Sequence, residues 1–291
     1  MRHRRIVWLG LSVLGCQPDF DRPASRVDQL RVLAVVLDPP EAMPAGRVRA
    51  EVLVVGPAGR VIEPTPRWSL CVRRPELAAF NSVADACSLP SEGGLAFLGL
   101  GEALEFPVPS TACASFGSEA PPADGEGRLI RPVDPDATGG YYQPIRIDVA
   151  GAVAFGGPRI SCALPRASAD VVRAFRARYV PNRNPVMLPL EVGAKTTRGE
   201  RLRVVVRLAE GSRERYVVYD ARDGTLGERT ENLEARFFTT AGSFSSDAAS
   251  GDGELASQLT VPDVSGRMTL WVVVRDERGG IAFQEANVEV E

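Results

Sequence analysis

Leu270-Trp271-Val272-Val273-Val274-Arg275-Asp276-Glu277-Arg278-Gly279-Gly280 is the stretch on which the fold turns. On an extended chain, Leu270, Val272 and Val274 point one way while Thr269, Val273 and Arg275 point the other. Asp276 to Gly280 supplies the polar and glycine residues of a tight turn, and the chain returns from Ile281 to Glu291. Along that return the apolar residues change parity, from Ile281 and Phe283 to Ala286, Val288 and Val290. A parity change of this kind predicts a β-bulge near Gln284 and Glu285.

The same patterning continues upstream. Leu202, Val204, Val206 and Leu208 alternate with Arg201, Arg203 and Arg207. Arg215 to Tyr219 precedes a turn at Asp223-Gly224, Leu233 to Thr240 breaks at Gly242, and Leu255 to Val261 ends at Pro262. Short strands of similar spacing without intervening helices predict a β-sandwich over 186–291. Before it, Ser168-Ala169-Asp170 opens a helix with Val171, Val172, Phe175 and Tyr179 on one face, so a helix is expected near 169–179. Pro181-Asn182-Arg183-Asn184-Pro185 cannot continue a helix, and 181–185 is read as a linker.

Residues 30–180 read as a second β-rich domain with long loops. Leu30 to Leu37 is an apolar run closed by Asp38-Pro39-Pro40, and Val48, Ala50, Val52 and Val54 alternate with Arg49 and Glu51. A further strand runs towards Trp68 and Cys71, a pairing expected in an immunoglobulin-type core. Pro75 to Ala86 has room for a short helix. Ser110 to Gly140 reads as an extended loop stapled through Cys113. Tyr141 to Leu164 returns to strand composition, with Ile145, Ile147 and Val149 alternating. Gly 28 and Pro 23 in 291 residues favour turns and short strands, so the expected fold class is mainly β, with two sandwiches.

The first residues read as an address. Met1-Arg2-His3-Arg4-Arg5 is basic, Ile6 to Leu14 is a short apolar run, and Gly15-Cys16 follows. That order is a signal peptide over 1–15, too short to span a bilayer core of roughly 30 Å. Val13-Leu14-Gly15-Cys16 resembles the bacterial lipobox, which implies cleavage before Cys16 and acylation of its thiol. Ordinary cleavage leaving a free cysteine, or an uncleaved anchor, are the alternatives. Residues 16–29 then form a lipidated tether. By resemblance to enteric lipoprotein sorting, Gln17 is not a retention signal, which implies the outer membrane, facing either the periplasm or the cell surface. The closing hairpin quoted above, with Phe238-Thr239-Thr240-Ala241-Gly242, resembles the last strands of bacterial immunoglobulin-like domains. The chain thus looks like uncharacterised bacterial lipoproteins with tandem domains of that fold, a resemblance that carries no catalytic residue.

Composition excludes several chemistries. Removing 1–15 takes Arg2, Arg4 and Arg5 away and lowers the formal charge from -3 to -6, which lacks the footprint of a nucleic-acid binder. The single histidine, His3, lies in the removed segment, which excludes Ser-His-Asp and Cys-His machinery and histidine-ligated metals. Cys71, Cys87, Cys113 and Cys162 form an even set in an exported chain and read as two disulfides. Of the three possible pairings, Cys71–Cys87 with Cys113–Cys162 is the one expected. A zinc site is the rival, without C-x-x-C spacing.

Asp247, Asp252 and Glu254 are the candidate calcium ligands, with Asp134 and Asp136 as a lesser set. Short polar residues with glycine are equally the material of a solvated turn, and no other cofactor is expected. Tyr141, Tyr142 and Trp271 are candidates for stacking on sugar, although aromatics at strand positions commonly pack in a core. The functional expectation is a membrane-anchored, non-enzymatic binding or structural module of the cell envelope. Its partners would be the membrane, through the lipid, and an envelope protein or polysaccharide. The alternative is a secreted carbohydrate-active enzyme or carbohydrate-binding protein.

Overall fold

The computed structural model describes residues 23–73, 83–89, 93–116 (without the side chains at 114 and 115), 126, 139–164, 167–251 and 253–291. The N-terminal strands are β1 (Arg31–Asp38), β2 (Glu41–Ala42), β3 (Arg47–Gly56), β4 (Gly59–Arg60), β5 (Arg67–Cys71) and β6 (Leu95–Leu100). They continue as β7 (Ala103–Pro107), β8 (Gly140–Tyr142), β9 (Ile145–Val149), β10 (Ala152–Gly156) and β11 (Arg159–Ser161). Two short helices, α1 (Asp85–Ser88) and α2 (Ala112–Phe116), carry Cys87 and Cys113. The first therefore lies at the end of the stretch 75–86 expected to be helical.

β3 pairs with β1 along one edge and with β4 and β7 along the other, while β10, β9, β5 and β6 form a second sheet. The inward residues of these sheets meet in one core: Val48, Ala50, Val52 and Val54 face Trp68, Leu70, Ile145 and Ile147. Trp68 is fully buried and donates its indole N–H to Gly101 O at 2.7 Å. Cys71 bonds to Cys87 and Cys113 to Cys162. Cys71–Cys87 ties the end of β5 to α1, and so does not cross between the two sheets as an immunoglobulin disulfide does.

Helix α3 (Ala169–Arg178) starts where Ser168 accepts the Val171 N–H, and Phe175 stacks on Tyr179 with ring centroids 4.7 Å apart. The C-terminal strands are β12 (Lys195–Thr196), β13 (Arg201–Val205), β14 (Arg215–Asp220), β15 (Thr225–Thr230) and β16 (Leu233–Thr239). After them come β17 (Ser243–Phe244), β18 (Ala248–Ser250), β19 (Ala256–Thr260), β20 (Gly266–Asp276) and β21 (Ile281–Val290). The sheet β12-β21-β20-β16-β18 covers the sheet β13-β19-β17, with Phe237, Leu259, Met268, Leu270 and Val272 between them. The hairpin β14–β15 stands outside both sheets and receives the apolar face of α3 through Val217 and Tyr219.

The predicted bulge is absent. β20 and β21 pair without interruption from Gly266 opposite Val290 to Arg275 opposite Ile281. The parity changes because the strand changes which face is covered. Val288 and Val290 enter the C-terminal core, while Ile281 and Phe283 pack with Trp271, Val273 and Phe238 against Val27, Leu33, Ala34, Leu53 and Val55 of the N-terminal half. This third apolar layer lies between the two sandwiches. β1, the second half of β3, and β20 are consequently covered on both faces, which explains their nearly unbroken apolar sequence. The half-buried strand expected at 48–54 holds only for the first part of β3. Residues ahead of β1 join in: Val27 and Thr239, and Thr239 and Ser25, share main-chain hydrogen bonds of 2.9 Å. Four sheets thus stack over three apolar layers, and an apolar interface of this kind opposes relative motion of the sandwiches.

Candidate functional site

Beside the middle layer lies a buried polar seam. Its first centre is Glu41, whose side chain is fully buried. Parallel pairing of β2 with β11 sets Glu41 opposite Arg159, and the two form an ion pair. Ser161 also donates to Glu41, as do the Tyr179 hydroxyl at 2.7–2.8 Å and the Asn182 N–H at 2.8 Å.

The second centre is the turn after β20. Asp276 accepts the N–H groups of Arg278 and Gly280, both at 2.8 Å, which folds the turn back on itself. Gly279 sits at φ +97, which favours glycine. Arg278, 4% exposed, reaches Glu231 at 2.6 Å, Glu214 at 2.7 Å and the Val180 carbonyl at 3.1 Å. Its guanidinium lies 4.5 Å from the centre of the Tyr216 ring. Asn182 joins the centres by giving Nδ2 to Asp276 at 3.2–3.3 Å while its main chain gives to Glu41. Asn184 completes the seam, donating to Leu37 O at 2.7 Å and accepting from Ile281 N at 2.9 Å.

Four carboxylates, Glu41, Glu214, Glu231 and Asp276, thus surround two guanidinium groups, Arg159 and Arg278. Burial raises the pKa of both Glu231 and Asp276, against hydrogen bonds that favour their ionised forms. Burial opposes the charge on Arg278, but Glu231 outweighs it and holds that guanidinium above its ordinary pKa. Burial also raises the Tyr179 phenol far above neutral pH, so it serves as a hydrogen-bond donor. Tyr216, which donates to Glu277 at 2.6 Å, is pushed up to about 12 by burial and that carboxylate.

Perturbed carboxylates in a cleft mark a reaction centre, but these are held inside a joint. Three clefts lined by described residues measure about 250, 200 and 180 Å³. None is lined by Glu41, Arg159, Tyr179, Asp276 or Arg278, and all fall below the roughly 300–1,000 Å³ usual for small-molecule sites. The arrangement orients the two sandwiches, and of its residues Asn184 and Gly279 reach the walls of the smaller clefts.

The residues singled out from sequence are scattered. Cys16, Asp134, Asp136 and Asp252 lie outside the described residues. Glu254 is exposed and paired with Arg203, while Asp247 accepts the Phe237 N–H through its main-chain carbonyl. The described residues contain no group of three or more His, Cys, Asp or Glu placed to hold a metal ion. Tyr141 and Trp271 do not form a stacking strip with Tyr142. Tyr141 is buried, stacked on Phe116 and bonded to Gln143. Trp271 is fully buried between the sandwiches and donates to Glu285 at 2.9 Å. Only Tyr142 of the three is exposed. Tyr141 thus belongs to the core of the first sandwich and Trp271 to the layer between the sandwiches.

Sequence reasoning missed the seam altogether. The signals were an acidic residue directly after Pro39-Pro40 and two asparagines inside the proposed linker. Each resembles ordinary turn material until the opposite half is in place.

No family model and no curated protein matches the chain. Among solved structures, the D0-D1 domains of intimin are similar at a TM-score of 0.23 and 10% identity, over 89% of this chain and 98% of that one. Fibronectin(III)-like modules of Clostridium thermocellum CbhA give 0.24 and 8%, over 90% and 93%. A chimeric titin Z1Z2-Z1Z2 tandem gives 0.24 and 12%, over 90% and 99%. Superpositions this loose say nothing of function, and the fold description rests on the sheets and cores above.

Proposed function

We propose that this chain is a membrane-anchored bacterial lipoprotein that acts as a non-enzymatic binding or structural module of the cell envelope. The order of basic residues, apolar run and Gly15-Cys16 supports anchoring through acylated Cys16 at the outer membrane. Two disulfides fit an exported protein. The observation that carries the non-enzymatic reading is the seam. The buried charges of the seam are engaged internally, with Arg278 3.9 Å from Glu41 and Arg275 bonded to the Leu33 carbonyl across the two sandwiches. A rigid double sandwich on a tether suits a spacer or a platform that presents its outer surfaces to an envelope partner.

The test is the intact mass of protein extracted from membranes, before and after reduction and alkylation. The expected mass is residues 16–291 plus diacylglycerol and an acyl chain, less the four hydrogens of two disulfides. An unlipidated mass overturns the anchoring, and hydrolytic turnover that depends on a named carboxylate overturns the non-enzymatic reading.

A further inference from the structure

Every sheet has edges, and a protein protects its open edges with charge, proline, brevity or cover, because an unguarded edge pairs with another strand. Most edges here are guarded. β2, β4, β12 and β17 have two residues each, and β8 and β18 have three. β13 carries Arg201 and Arg203, β15 carries Glu228 and Arg229, and β7 has Glu105 and ends in Pro107. On the open edge of β1, Arg275 takes the Leu33 carbonyl at 3.2 Å and Asn184 takes that of Leu37. β10 is uncharged, but β1 lies so close that a Cβ on Gly156 would come within 2.7 Å of the Val35 side chain.

β6 is the exception among the described strands. Leu95-Ala96-Phe97-Leu98-Gly99-Leu100 holds no charge and no proline, and among the described residues β6 ends its sheet with β5 as its only partner. The Val72 N–H donates to Gly94 O, and Leu70 stands opposite Ala96. Ladder parity therefore turns Gly94 and Ala96 towards β5 and leaves the N–H and C=O of Leu95 and Phe97 on the open side. Phe97 and Leu100 are 55% and 60% exposed on the outer face. The Arg67 guanidinium stacks 4.5 Å from the centre of the Phe97 ring. Its cross-strand neighbour Asp148 is held by Arg146 at 2.6 Å, and Arg67 forms no ion pair with a described residue.

We infer that the open edge of β6 docks one extended segment of a partner protein that carries apolar side chains and a carboxylate on the same face, the carboxylate meeting Arg67. The inference rests on the binding-module reading and names the chemistry of the partner. Main-chain pairing with Leu95 and Phe97 supplies the register, Phe97 and Leu100 supply apolar contact, and Arg67 selects the charge. A second copy of this chain fits less well, since the β6 edge brings it no carboxylate and would place both Arg67 groups on the same face.

The probe is the fluorescein-labelled peptide Thr-Val-Thr-Glu-Thr-Val-Thr, whose valines and glutamate share one face of an extended strand, titrated by anisotropy against the full chain in detergent. Saturable binding is expected with Kd on the order of 100 µM. Amide exchange should slow at Leu95 and Phe97. Phe97→Pro removes an N–H from the open side only and should abolish binding, and Phe97→Lys, which keeps that N–H, should weaken it at least fivefold. Arg67→Gln should weaken binding about tenfold and erase the preference for this peptide over its Glu-to-Gln form. The inference fails if no binding appears up to about 1 mM, or if these variants bind as the parent does. It also fails if the chain protects residues 95–97 by dimerising without peptide. A lipidated intact mass beside a failed titration would leave the anchored-module reading standing and remove only this docking site.

Discussion

Glu41 sits where a charge is most costly to leave alone. It accepts from Arg159, Ser161, Tyr179 and Asn182, groups from β11, the end of α3 and the segment after it. Glu41→Ala leaves Arg159 buried without its carboxylate and should lower unfolding free energy by about 3–5 kcal/mol, read from urea denaturation. A loss below about 1 kcal/mol would place Glu41 among ordinary surface ion pairs instead. Asp276 and Glu231 behave differently, because burial raises their folded pKa above the ordinary value of about 4. Each binds a proton more readily folded than unfolded. The stability they contribute is complete below the unfolded pKa and is lost as pH rises through the folded value. Asp276→Asn should therefore show a smaller fall in stability between about pH 4 and about pH 7 than the parent. Equal pH slopes for the two proteins would show that Asp276 titrates as an exposed carboxylate does.

At the scale of elements, the two disulfides act on different parts of the first sandwich. Cys71–Cys87 closes a separation of 16 residues and pins α1 to β5, while Cys113–Cys162 closes 49 and pins α2 beside β11. Loop-closure entropy gives about 3 and about 4 kcal/mol for such spans. Cys113→Ala with Cys162→Ala should consequently lower the denaturation midpoint more than Cys71→Ala with Cys87→Ala, and the reverse order would reject a loop-entropy account. The elements themselves were largely legible. The helix at 169–178, the strands at 31–38, 201–205, 233–239 and 256–260, and the closing hairpin all follow from periodicity and caps. The bulge near Gln284 did not follow, because a parity change has two causes and periodicity cannot distinguish them. One cause is an inserted residue; the other, which operates in β21, is a change in which face is covered.

At the scale of the molecule, the apolar layer of Leu33, Leu53, Val55, Trp271 and Val273 and the seam beside it couple the sandwiches. Differential scanning calorimetry should accordingly show one cooperative transition for the full chain. A fragment of residues 186–291 loses the cover over Phe238, Trp271 and Val273 and should unfold at a lower temperature than the full chain. Two separated transitions, with the fragment matching the second, would show that the layer does not couple the halves.

What the sequence determined by itself is what depends on near neighbours: strand and helix propensity, turn chemistry, and the presence of a single histidine, His3. The unbroken apolar runs Leu33 to Leu37, Val52 to Val55 and Leu270 to Val274 even carried the mark of two-sided burial, although nothing local named the covering surface. Only the tertiary structure decided that Trp271 lies inside an interface, that Asn182 belongs to a buried joint, and that β6, alone among the described strands, has an edge unguarded by any described residue. The physical reason is separation along the chain. Glu41 and Asn182 are 141 residues apart and Arg275 and Leu33 are 242 apart, so their contacts exist only once both sandwiches have folded and met.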